Sequence, residues 1–148
     1  MPDPTPAAHL TAEVTYEGGL RTRARHVRSG LEIVTDAPID NHGRGEAFSP
    51  TDLAATALAS CILTVVGIAA ASRDLDVAGM RAEVVKVMGG PPRRIAAVRI
   101  GLRVPARGYD AAARKVITAA AEACPVGRSL HPELRQELAI TWGDDEAA

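Results

Sequence analysis

Apolar and polar positions alternate along three short runs near the N-terminus, each closed by a turn signal. Ala12-Glu-Val-Thr-Tyr is followed by Glu17-Gly-Gly, and Leu20-Arg-Thr-Arg-Ala-Arg-His-Val by Ser29-Gly30. Leu31-Glu-Ile-Val-Thr ends at Asp36-Ala-Pro. A period of two punctuated by glycine predicts an antiparallel meander of three strands. After a polar loop from Asp40 to Glu46 the pattern changes, and Leu53 to Ala71 carries no charge. Ser49 suits an N-cap and Pro50 the first helical position, while Asp52 complements the positive end of the helix dipole. The stretch therefore predicts a long helix to about Ser72, and Ala55, Ala59, Gly67 and Ala70 would let another helix approach its backbone. A hairpin follows, with arms Arg81–Val87 and Ile95–Val104. Tyr109-Asp110 opens a second helix through Glu122, with Ala112, Val116, Ile117 and Ala120 on one face, and Pro125 is read as its stop. Leu138–Trp142 closes the chain as a strand. The order β-β-β-α-β-β-α-β is α+β and not a parallel βαβ sheet. No linker divides residues 1–148, so a single domain is expected, with the Pro-rich start frayed to about His9.

Composition narrows the function classes. A chain of 148 residues, 47% hydrophobic, can bury a core. A net charge of −1, scattered basic residues and few aromatics point away from nucleic acid and from anionic membranes. Leu53–Ala71 is long enough to cross a bilayer. It is, however, interspersed with Thr56, Ser60, Thr64 and Gly67 and has no second segment like it, so a helix buried on all sides of a soluble protein fits better. The opening residues show no signal-peptide pattern, which leads to the expectation of a cytoplasmic protein. There a pair of cysteines suits redox work better than a structural staple.

Those cysteines occupy different settings. Cys61 lies mid-helix among apolar residues, where it would be inert unless a cation, most naturally an Arg from another strand or a second subunit, lowered its pKa. Cys124 lies at the end of the second helix, where the dipole opposes a thiolate and a resolving role fits better than an attacking one. The local pattern leaves a pair of buried structural thiols open as well. His9, His26, His42 and His131 show no ligand spacing, so neither metal nor other cofactor is expected. Asp52 serves equally as a helix-dipole partner, Arg21 as a solvated strand residue, Arg128 as a surface residue and His131 as a loop residue.

Phe48-Ser-Pro-Thr-Asp-Leu with Ala57-Leu-Ala-Ser-Cys61, and Ala123-Cys-Pro-Val-Gly-Arg-Ser-Leu130, resemble the osmotically inducible protein C and organic hydroperoxide resistance family of thiol peroxidases. The resemblance runs from about Ala12 to Trp142 and is closest to the broader OsmC-like branch. It implies antiparallel sheets wrapped around two long central helices in an intertwined homodimer with sites at the interface. It also implies that Cys61 attacks an organic hydroperoxide and becomes a sulfenic acid. Cys124 would then resolve it as a disulfide, which an external dithiol, such as a lipoyl group, reduces. Arg21 is the best match for the family's activating Arg, with Arg23 close behind. The family's carboxylate after the helix-opening Pro is absent: Thr51 stands there with Asp52 beside it. Asp52, or Glu46 in the preceding loop, is the candidate partner of the Arg. That departure also keeps open a non-catalytic protein of the same fold, holding a small apolar ligand in the interface pocket.

Overall fold

The computed structural model describes residues 8–147. The fraying expected up to about His9 falls largely outside them. The chain forms two compact units, one ending at Pro50 and the other beginning at Thr51.

The first unit is the expected meander: β1 (Ala12–Gly18), β2 (Arg21–His26) and β3 (Glu32–Asp36), paired antiparallel in that order. Gly18 and Gly19 carry the β1–β2 turn at φ of 86° and 60°, a region glycine enters without cost. Register sets two different faces. Val14, Ala24 and Ile33 lie in one row across the sheet, and Glu13, Arg25 and Glu32 in the next, on the opposite face. Beyond β3, Gly43 lies so close to the chain that a Cβ there would stand 1.6 Å from the Ala37 carbonyl oxygen.

The second unit holds α1 (Pro50–Ala71), β4 (Arg81–Gly89), β5 (Arg94–Val104), α2 (Ala111–Glu122), α3 (Pro125–Ser129) and β6 (Arg135–Trp142). Asp110 caps α2, accepting from the Ala113 amide at 2.8 Å. Core packing joins one stripe of α1 (Ala55, Leu58, Ala59, Ile62, Val66) to alternate positions of β5 (Val98, Ile100, Leu102, Val104) and to Ile117 and Ala121 of α2.

Three expectations need correcting. The second sheet has the order β4-β5-β6, but β6 runs parallel to β5. The helical connection between them is long enough for such a crossover, so the α+β chain contains one βαβ unit after all. Pro125 ends one helix but also starts another, occupying the first turn of α3, where a missing N–H costs nothing. Finally, α1 is not buried on all sides. Ala57, Ser60, Thr64 and Ile68, spaced three or four apart, form an exposed uncharged stripe, with Ile68 66% exposed.

Candidate functional site

The helical period places the thiols. Leu58 and Ile62 point into the core, while Cys61, rotated away from that stripe, is half-buried at its edge. Cys124 sits at the corner between α2 and α3, only 4% exposed. Both thiols are free, and Cys61 is near enough to act on the Cys124 thiol. The Cys124 thiol also lies 4.0 Å from the Leu58 carbonyl, one turn before Cys61 on α1.

The surroundings of Cys124 differ from those of a simple helix end. It is the residue preceding α3, so the amides of Val126 and Gly127 favour its thiolate, although no full capping hydrogen bond forms. Burial is the larger effect and Cys61 adds to it, so the thiol is pushed up overall. The expected direction holds, but its cause is desolvation and not the dipole of α2.

A cavity of about 270 Å³ opens against Cys124. Leu58, Ile62, Val98 and Ile100 make its apolar wall, and the exposed side chains of Glu122, Arg128 and Gln136 stand among its lining. Gly127 keeps this side open: a Cβ there would meet Gln136 Oε1 at 2.7 Å and Leu58 Cδ1 at 3.4 Å. Cys61 is not among the lining residues.

The first unit holds a separate charged cluster. Arg21 Nε donates to Asp36 Oδ1 at 2.7 Å and Nη2 to Oδ2 at 2.8 Å, a two-pronged contact. The same Nη2 donates to Glu46 Oε2 at 2.9 Å. Asp36 is completely buried. The Arg21 guanidinium, helped by the Glu46 amide, holds its carboxyl below the usual range, while the two carboxylates raise Arg21 above its ordinary value. Arg23, on the same sheet face, is instead tied to Glu17 at 3.2 Å and Glu32 at 3.1 Å in an exposed network. Glu46 thus reaches Arg21 as one of the two candidates expected to do so. Asp36 is the carboxylate that sequence reasoning missed. A strand-ending Asp before Ala-Pro reads as a turn residue, and only its position opposite Arg21 across β2–β3 hints otherwise.

Asp52, the other candidate, has a different engagement. Lys86 of β4 donates to Asp52 Oδ1 at 2.7 Å and to Thr51 Oγ1 at 2.9 Å, fastening the first turn of α1 to the second sheet. An Asp in the first helical turn and a Lys pointing from an adjacent strand form a short, partly buried bridge, so Asp52 acts within its own unit. Arg128 is exposed at the cavity, and His131 Nδ1 accepts the Glu133 amide at 3.1 Å as a local turn contact. No group of side chains suited to a metal occurs among the described residues.

The sequence profile described as OsmC-like protein matches residues 43–138. A solved structure from Psychrobacter arcticus, named for osmotic stress induction and a detoxification response, is 48% identical with a TM-score of 0.86, covering 91% of this chain and 98% of that one. An organic hydroperoxide resistance protein OsmC from Legionella pneumophila is 18% identical with a TM-score of 0.67, covering 91% and 99%. One from Elizabethkingia anophelis, an organic hydroperoxide resistance protein, is 16% identical with a TM-score of 0.70, covering 90% and 97%. Comparison with curated protein sequences gives no match.

Proposed function

The chain belongs to the OsmC family, and on that premise we propose that it is a thiol-dependent peroxidase of organic hydroperoxides. The observation that carries this reading is the nearness of two free cysteines in apolar surroundings, one half-buried and one enclosed. Cys61 is the more exposed of the two residues and takes the attacking role. Its thiolate attacks the O–O bond, forming a sulfenic acid and releasing the alcohol after one proton is taken up. Cys124 then attacks the sulfenic sulfur, giving the disulfide and water. An external dithiol returns the two electrons. Sulfur carries the whole cycle, so no metal or organic cofactor is required.

Arg21 is the cation we assign to Cys61. Its fork is held by Asp36 and Glu46, which leaves a guanidinium pre-set in one orientation, whereas Arg23 is spent on exposed partners. We further propose a homodimer. The exposed Val14, Tyr16 and Ile33 on one face of the first sheet, and the exposed uncharged stripe of α1, are surfaces that association would remove from water. A cytoplasmic setting, where thiols stay reduced, suits the cycle.

Intact mass after a slight excess of cumene hydroperoxide tests the cycle. The wild-type chain loses two hydrogens, Cys61→Ser does not react, and Cys124→Ser gains an oxygen on Cys61. Two unchanged thiols in the wild type refute the assignment. A second reading, a non-catalytic protein holding a small apolar ligand, draws support from the apolar cavity. A retained small molecule in the native mass spectrum, unaffected by Cys61→Ser, would select it.

A further inference from the structure

The cavity beside Cys124 has no task in the oxidative half of that cycle. Cys124 is among its lining residues and Cys61 is not, and it lies inside a single unit. We propose that it is the route by which a small aliphatic dithiol reaches the disulfide, and that reduction begins at the Cys124 sulfur. This rests on the peroxidase reading and adds to it where the reductant binds and which bond it breaks.

Three observations support the route. Thiolate attack on a disulfide proceeds in line, with the attacking sulfur opposite the leaving one. A space lined by Cys124 and not by Cys61 lies on the resolving residue's side of the pair, where such an approach begins. The second observation is size. A cavity of about 270 Å³ is of the size that takes a small molecule. That suits a short dithiol chain and excludes a protein surface. Third, the wall is built from Leu58, Ile62, Val98 and Ile100, so methylene groups gain by burial while exposed Arg128 and Gln136 can meet a polar end.

The leaving group agrees with this direction. Burial pushes the Cys124 thiol up, which makes it a poor leaving group, and attack on its sulfur expels Cys61 instead. The reductant thiolate forms a mixed disulfide with Cys124 as the Cys61–Cys124 bond breaks. Its second thiol, as thiolate, closes onto its own sulfur and releases Cys124. Two electrons and two protons pass from the dithiol to the pair, and the dithiol leaves as a cyclic disulfide.

The test forms the disulfide with diamide, so that it does not depend on peroxide chemistry. Oxidised wild-type protein is treated with 1-propanethiol, alkylated at once with iodoacetamide, and mapped by peptide mass. The propylthio group is expected on Cys124 and the alkyl label on Cys61; the reverse overturns the proposal. Gln136→Trp, an exposed position at the cavity, is expected to slow single-turnover reduction by dihydrolipoamide about tenfold or more. Diamide is expected to form the disulfide in this variant as well, which checks that its thiol pair is intact. Unchanged reduction in this variant overturns the route. Disulfide formation with diamide but not with hydroperoxide sinks the peroxidase reading while the access route is still decided by the map. Failure of both oxidants to form the bond overturns both.

Discussion

Leu58 and Ile117 are equally enclosed, at 1% and 0% exposure, and belong to the same core cluster. Truncation of either to Ala removes the same number of carbons, and at ~0.8 kcal/mol per buried methylene the transfer loss is roughly 2.4 kcal/mol for each. The second term should separate them. Ile117→Ala leaves a closed void, and voids cost about 24 cal/mol per Å³, so its total should approach 4 kcal/mol. Leu58 already borders the open cavity beside Cys124. Its loss enlarges a space that water can enter, so the total should stay near 2.5 kcal/mol. At about 3 °C per kcal/mol for a chain of this size, the two variants should melt roughly 4–5 °C apart. The single Trp of the chain, Trp142, lies on β6 in the second unit, so its fluorescence during urea or thermal unfolding follows the relevant unit. Leu58→Ala proving as costly as Ile117→Ala, or costlier, would refute the argument that the cavity is open space.

Four further outcomes are expected. Because burial keeps Cys124 protonated at neutral pH, disulfide formation after oxidation of Cys61 should quicken about tenfold per pH unit below its raised pKa; stopped-flow sulfenate trapping that shows no pH dependence would contradict this. Asp36 has a folded pKa below its unfolded one, so its contribution is complete above the ordinary carboxylate range and is lost as pH falls through the depressed value; an acid titration of the first unit by circular dichroism should be flattened in Asp36→Asn. Asp110→Ala removes the α2 cap and should cost about 1 kcal/mol in the second unit, read by Trp142 fluorescence. Gly43→Ala would place a Cβ against the Ala37 carbonyl, so the loop should be displaced and Glu46 should leave Arg21, visible as altered amide shifts confined to the first unit.

Much of this architecture was legible before any coordinates, for reasons that differ from element to element. The meander, the start of α1 at Pro50 and the Asp110 cap depend on neighbours in the chain, and local chemistry announces them. The parallel pairing of β6 depends on how its long helical connection returns, which no short pattern encodes. α3 was hidden because Pro125 serves as a stop signal and a start signal at once. The charged partners were the hardest to see. Lys86 and Asp52 are strangers in the chain, and Asp36 becomes meaningful only once β3 has laid it beside Arg21. The thiol pair could be suspected from composition and resemblance, but its closeness required the corner between α2 and α3.

The boundary at Pro50 has an evolutionary consequence. Everything that brings the two sulfurs together lies after it, and the Arg21 clamp lies wholly before it. Under the proposed mechanism, substitutions at Arg21, Asp36 or Glu46 change how fast a peroxide is attacked while sparing the dithiol couple. Substitutions around Leu58, Gly127 and Gln136 do the reverse, leaving activation intact and changing what can recharge the pair. Descendants of such a chain can therefore exchange peroxidase speed for a new electron donor, or the opposite, by drifting in one half of the sequence alone.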